Sequence, residues 1–355
     1  MKRREFVHTA VGAAAAAAAG CAPCTSGSRV RQPLPPHGVE AAPLCQVAFS
    51  VLDLDGTHGW YRDALGFLPS GGTNLFRGPI ASLIQGLPRA ASRTRWMVDQ
   101  QEFRQLEMFQ YESPVPKVRD RRPNDTGYSM VGLHVADLDG ALARLLEKGI
   151  RPLTEPVGEG GARRVCIRDP EGILLELMED HPRETGAPDR PRPRVPVAVR
   201  SITLSVPDLD RSRRFFAETL GLRVAQDPDL LHLPAHEKLW GLDGARSRRL
   251  LLWAGDFLIE LRQYSDPAGR PWPDGYRISD RGLLNVAFGF RSEDHFDRML
   301  RRVEAAGYRA NWIPFKVFNW GVVYVSDDQC FSVEMLWVEP RADGDLGFAP
   351  LAQTP

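Results

Sequence analysis

Cysteine is scarce. Only Cys21, Cys24, Cys45, Cys166 and Cys330 occur in 355 residues. Five thiols spread so widely exclude a disulfide-built scaffold. The apolar runs around Cys166 and Cys330 predict buried thiols there, and Cys21-x-x-Cys24 is too close to the N-terminus to read as a redox pair. Charge of one sign is also missing: 45 Lys and Arg balance 45 Asp and Glu. That balance removes the electrostatic case for nucleic acid or an anionic surface as a partner. Nor is there an apolar run long enough to span a bilayer, since Val11–Ala19 falls well short of one. What remains is an ordinary globular composition, 43% hydrophobic and 25% charged, in a chain long enough for two cores.

The N-terminus reads as an address. "MKRREFVHTAVGAAAAAAAGCAPC" has a basic start, a short apolar stretch and small residues, the layout of an export signal over residues 1–24. Arg3-Arg4-Glu5-Phe6-Val7 is similar to the twin-arginine motif. Ala18-Ala19-Gly20-Cys21 resembles a lipoprotein box with Cys21 lipidated, although Ala18 stands where Leu is usual. Two outcomes stay open, a lipid anchor or a plain cleaved signal. Either predicts a bacterial envelope or periplasmic location, with membrane contact only through that lipid. Residues 25–43 are rich in Pro, Gly and Ser and read as a tether.

Beyond the tether the sequence repeats. "LCQVAFSVLDLDGTHGWYRDALGF" from Leu44 returns as "RSITLSVPDLDRSRRFFAETLGL" ending at Leu222. Asp53 matches Asp208, Trp60-Tyr61 matches Phe215-Phe216, and Leu65-Gly66 matches Leu220-Gly221, all at one offset, as in a duplicated unit. A Pro-rich linker over 181–198 separates a first body, 44–180, from a second, 199–340, with a loosely ordered tail at 341–355. Each body is itself double. "YSMVGLHVADLDGALARLLEKGI" starts a new unit with Leu142, Leu145 and Leu146 at helical spacing. "LLNVAFGFRSEDHFDRMLRRVEAAGY" does the same with Phe296, Met299, Leu300 and Val303. The bodies close in "IRDPEGILLELMED" and "VSDDQCFSVEMLWVEP".

The strand–VxDLD–helix–LGF opening and the DPEGILLELMED close resemble the vicinal oxygen chelate superfamily, which includes glyoxalase I, extradiol dioxygenases and bleomycin-resistance proteins. The resemblance spans residues 44–340. It implies an α+β fold of two glyoxalase-like domains, each of two paired βαβββ modules forming a half-barrel cleft. It also implies a divalent metal held by the first and last strands of the modules. The first-strand position, five residues before the turn, falls on Gln46, Met130, Ser201 and Asn285. The last-strand position falls on Glu107, Glu176, Glu260 and Glu334.

No first-strand position carries His, and hydroxyl or amide oxygens suit Fe(II) poorly, so the extradiol dioxygenase chemistry is not expected. The resemblance makes the first body the working half. Gln46, Glu107 and Glu176 match a glyoxalase-like set in which Gln replaces His, with Met130 out of place. Glu176 would be the catalytic base, and Gln46, Glu107, Glu176 and His134 the candidate divalent-metal set. His134 lies on the Met130 face of its strand. The second cleft, with Ser201, Glu260, Asn285 and Glu334, would be degenerate and hold no cofactor. Trp96, Trp253, Trp320 and Tyr324 are candidates to line an apolar pocket. "AHEKLW" (Ala235–Trp240) reads as a loop without metal spacing.

Two converging carboxylates in an apolar cleft need a cation, an Arg or a shared proton. Three functions follow. One is a metal-assisted lyase or isomerase acting on a small oxygenated substrate. Another is small-molecule binding without turnover, and the third is an envelope interaction role.

Overall fold

The computed structural model describes residues 39–184 and 195–351. The export signal, the lipid candidate Cys21, Cys24 and most of the tether lie outside the described residues, as does the middle of the linker.

Four modules follow one plan. The first comprises β1 (Leu44–Ser50), α1 (Leu54–Trp60), β2 (Leu68–Gly71), β3 (Phe76–Arg77), α2 (Pro79–Gln85), β4 (Ala91–Val98) and β5 (Gln105–Ser113). The second has β6 (Gly127–Val135), α3 (Leu138–Glu147), β7 (Arg164–Arg168) and β8 (Leu174–Met178). Next come β9 (Val197–Ser205), α4 (Leu209–Arg213), β10 (Arg223–Val224), β11 (Arg246–Ala254) and β12 (Phe257–Asp266). The last contains β13 (Gly282–Phe290), α5 (Glu293–Ala305), β14 (Arg309–Ala310), β15 (Phe315–Val317), β16 (Trp320–Ser326) and β17 (Ser332–Val338).

The repeated Asp of VxDLD is a helix cap. The side chains of Asp53, Asp137 and Asp208 accept from the backbone N–H of Gly56, Gly140 and Arg211. Ser292 fills that role in the fourth module. Each satisfies an N–H that the first helical turn leaves orphaned. After the caps, α1 and α4 widen into π-helical turns at Tyr61–Leu65 and Arg214–Thr219. The duplication therefore extends to an uncommon backbone feature.

The closing turns clip the opening ones. Asp169 Oδ1 accepts from the N–H of Glu171 and Ile173, and Asp327 Oδ1 from Gln329 and Phe331. Glu171 Oε1 then accepts from the N–H of Leu52 and Asp53 and from Thr57 Oγ1, while Gln329 bridges Asp208 and Ser212. The DPEG motif thus ties module two to module one, and its counterpart ties module four to module three.

The sheets join different pairs. A ten-stranded sheet runs β14-β16-β17-β13-β1-β5-β4-β2, with β15 on β16 and β3 on β4. A seven-stranded sheet runs β10-β11-β12-β9-β6-β8-β7. Strand β1 pairs antiparallel with β13, and β6 with β9. The outer modules, one and four, therefore share one sheet, and the inner modules, two and three, share the other. One large apolar cluster, including Phe49, Leu133, Phe215 and Phe296, draws on all four modules and packs the helices against the strands.

Two expectations change here. Residues 341–351 of the tail are docked: Leu351 N–H donates to Pro69 O at 2.9 Å, and Arg291 pairs with Asp343. Phe348 is buried against Phe103, and Gly347 lies on Trp96. Cys166 is a buried free thiol, as is Cys45, but Cys330 is disulfide-bonded.

Candidate functional site

Sheet pairing decides which residues meet. In the outer sheet, Ala48 stands beside Glu107 on one side and Asn285 on the other; Gln46 is opposite Ala287, which is beside Glu334. Gln46, Glu107, Asn285 and Glu334 therefore zigzag across four adjacent strands, with Ala48 and Ala287 as small floor residues between them. In the inner sheet, Gly132 lies between Glu176 and Ser201, and Thr203 between Met130 and Glu260. Each cleft thus takes two first-strand and two last-strand positions, one pair from each half of the sequence.

This corrects the sequence-based set. Gln46 and Glu107 do share a cleft, but their companions are Asn285 and Glu334. Glu176 sits in the other sheet with Met130, Ser201 and Glu260. His134 is not brought to Gln46 or Glu107 either. It lies opposite Met178 and stacks on His181 with ring centroids 3.5 Å apart. The reason is topological: a first strand buries its edge on a module from the opposite half, so the sequence halves are not the cleft-forming units.

The outer cleft is polar and uncompensated. Gln46 Nε2 donates to Gln105 Oε1 at 2.6 Å, and Gln105 Nε2 donates to Leu346 O at 2.8 Å. That relay from the C-terminal segment fixes the Gln46 amide with its Oε1 left unpartnered. Both amide atoms of Asn285 and Glu334 Oε2 are also buried without a hydrogen-bond partner. Trp96 Nε1 donates to Glu107 Oε1 at 2.8 Å, and the Tyr324 hydroxyl engages Glu334. No Lys, Arg or His pairs with either carboxylate among the described residues. Burial, then the charge of Glu334, pushes Glu107 well above the usual carboxylate range. Burial likewise raises Glu334. The aromatic candidates divide: Trp96, Trp320 and Tyr324 belong to this sheet, whereas Trp253 is on the inner sheet beside Glu184 and Arg223.

The inner cleft solves the same problem with protein cations. His232 bridges the two carboxylates, with Nε2 2.6 Å from Glu176 and Nδ1 2.8 Å from Glu260. Arg262 forks onto Glu260 at 2.8 and 2.9 Å and reaches Glu237. Arg164 approaches Glu176 at 3.3 Å and pairs with Asp180 at 2.6 Å. Burial alone would strip the imidazole of its proton, but Glu176 and Glu260 outweigh it and the His232 pKa is raised. Burial opposes ionisation of Glu176 and Glu260 too, yet His232 and the arginines hold both below the usual carboxylate range. The His232 ring thus occupies the space between the two last-strand glutamates and contacts both.

Sequence reasoning missed His232. Ala235–Trp240, read as a loop, belongs to a 3₁₀ turn, Pro234–Trp240, that buries Glu237, Leu239 and Trp240. It sets Glu237 on Arg262 and Trp240 against the His232 ring at 5.1 Å. The available signal was "LLHLP", a His inside an apolar run, where an unpaired imidazole would be costly.

Among the described residues no three His, Cys, Asp or Glu side chains form a metal cluster. The outer four nevertheless offer oxygen from two carboxylates and two amides. The unpartnered oxygens of Gln46, Asn285 and Glu334 lie buried where a bound cation would satisfy them. An all-oxygen set fits a hard divalent cation such as Mg²⁺ or Mn²⁺ and does not fit a soft one.

Comparison with known proteins agrees with this architecture. The family model described as Glyoxalase/Bleomycin resistance protein/Dioxygenase superfamily matches residues 44–177 and again 198–335. A Bacillus subtilis protein whose dioxygenase assignment is provisional superposes with a TM-score of 0.60 at 13% identity, covering 89% of this chain and 92% of its own. Glyoxalase I from Zea mays superposes with a TM-score of 0.55 at 16% identity, covering 83% and 92%. At these identities the likeness is one of fold. A search of curated proteins finds no match.

Proposed function

The chain belongs to the glyoxalase superfamily, and we propose that it is a divalent-cation-dependent isomerase or lyase for a small oxygenated substrate, working in the outer cleft. The observation that carries this reading is the contrast between the two sheets. The same two last-strand positions hold neutralised glutamates in the inner cleft and uncompensated ones in the outer. Buried carboxylates without a counter-charge require a cation or a proton.

Gln46, Glu107, Asn285 and Glu334 would hold the cation. Bound there, it would polarise a substrate carbonyl or hydroxyl oxygen. The protein's own residues supply the rest. The Gln105 relay keeps the Gln46 oxygen aimed into the cleft, and Trp96 fixes the Glu107 carboxylate. Burial and the charge of Glu334 make Glu107 hard to ionise, and burial does the same to Glu334, so the pair can hold one proton between them. A carboxylate and a carboxylic acid side by side can take a proton from a carbon next to a carbonyl and return it to the neighbouring atom. Trp96 and Tyr324 shield that exchange from water. In this reading Glu176, held by His232 and Arg164, moves no proton.

Binding without turnover is the second reading, favoured by the amide at Asn285, a weaker donor than a charged ligand. Export to the envelope, with or without a lipid on Cys21, rests on the sequence of residues 1–24 alone.

The test is proton exchange. The mature protein with Mn²⁺ is mixed with small α-hydroxyketones in deuterated water and followed by NMR. Deuterium entering the carbon next to the carbonyl, and lost in Glu334→Gln, supports the enzyme. Saturable ligand binding with no exchange supports the second reading instead.

A further inference from the structure

A cavity of about 390 Å³ lies where three stretches distant in sequence meet, and none of the eight cleft positions lines it. They are the crossing segment between β5 and β6, the turn from Arg168 into β8, and the start of β13. Arg119, Arg121, Arg122, Arg168 and Arg281 all border it. Scattered along the chain these residues look unremarkable, and only the fold gathers them.

Three of the five are committed. Arg119 Nε donates to Asp280 at 2.9 Å, Arg122 Nη2 to Asp125 at 2.9 Å, and Arg121 to the backbone carbonyls of Asp125 and Thr126. The other two are not. Arg168 donates only to the Gly172 carbonyl, at 2.8 Å, and the Arg281 guanidinium has no hydrogen bond or ion pair among the described residues. Glu171 borders the same space, but three donors from module one already converge on its Oε1.

Asp120 also borders the space, exposed to solvent. Arg168 and Arg281 make no ion pair with it or with any other described residue, and their planar forks suit carboxylate and phosphate oxygens. The lining also has an apolar part, buried Tyr128, Ile173, Leu174 and Leu283. We propose that this cavity binds a small organic oxyanion, a carboxylate or phosphate carried on an apolar body, with Arg168 and Arg281 on the charge and the apolar residues on the body. The site is independent of any cation in the outer cleft.

Isothermal titration of the mature protein tests it with phenyl phosphate, benzoate, inorganic phosphate and the uncharged benzyl alcohol. The expected result is saturable binding of phenyl phosphate or benzoate, with the tighter of the two identifying the preferred oxyanion. Arg168→Gln/Arg281→Gln should weaken it by about tenfold or more, while Arg301→Gln/Arg309→Gln, an equal loss of charge outside the cavity, leaves it unchanged. Absence of saturable binding by both organic anions, or equal binding by the double variant, overturns the site. Inorganic phosphate or benzyl alcohol binding as tightly as the organic anions overturns the pairing of charge with an apolar body.

Discussion

Glu107 and Glu334 reach one cleft from opposite halves of the chain, and burial, then the charge of Glu334, raises the pKa of Glu107. Their inner counterparts, Glu176 and Glu260, share a bridging imidazole. One fold therefore carries the same pair of acids in two electrostatic states.

The outer pair sets a pH dependence of stability. Burial moves Glu334 from 4.5 up to about 7. An acid with a raised folded pKa holds its proton longer in the folded state than in the unfolded one, so stability falls as pH rises from 4.5 through 7. The loss from this group is about 3 kcal/mol. Cation-free protein should resist urea better at pH 5 than at pH 8, and Glu107→Gln/Glu334→Gln should flatten that slope. Urea titrations at both pH values check this; an unchanged slope in the variant contradicts it.

His232 is predicted to be the keystone of the inner cleft. His232→Gln removes the positive charge from between two buried carboxylates and should cost about 3–5 kcal/mol. Pairing it with Glu176→Gln should recover part of that loss. With its folded pKa raised, His232 contributes stability that is full below 6.5 and disappears as pH climbs through the higher folded value. Chemical denaturation of the double-mutant cycle at pH 6 and pH 9 reads both effects.

How much of this was legible follows from what each signal encodes. Alternating apolar residues and Asp caps are local, so the four modules, and the counted positions from Gln46 to Glu334, could be read directly. Pairing is not local. Nothing in the β1 sequence says that its edge meets β13 rather than β6, so Glu176 was grouped with Gln46 and Glu107 while Asn285 and Glu334 were assigned to a degenerate half. His232 was harder to read for another reason: beyond the apolar run around it, it joins the site from a loop between strands, where the duplicated pattern is silent. The segment after Pro340 misled because chain termini are commonly loose, whereas Gly347 allows this one a close approach to Trp96.

That approach is testable. Gly347 has φ +75°, and a Cβ there would fall 2.6 Å from a Trp96 ring carbon. Gly347→Val should undock the segment, because the left-handed backbone and the contact both oppose a branched side chain. Hydrogen exchange across residues 340–351 should speed up markedly while that of β6 and β9 stays unchanged.

Gln105 should act through Gln46. Gln105→Leu breaks the relay from Leu346 and frees the Gln46 amide to turn, lowering cation affinity by about tenfold or more. The melting temperature should fall by a few degrees, because Gln46 Nε2 and Leu346 O lose their partner. Equal affinity in the variant, measured by Mn²⁺ titration, would remove the relay from the account.

The most direct measurement is Mn²⁺ binding, followed by the EPR signal of the free ion, in the mature protein and in Glu107→Gln/Glu334→Gln. About one Mn²⁺ bound per chain in the first and none in the second is the result the outer-cleft assignment predicts. A wild type that binds no Mn²⁺, or a double variant that binds it equally well, would contradict it.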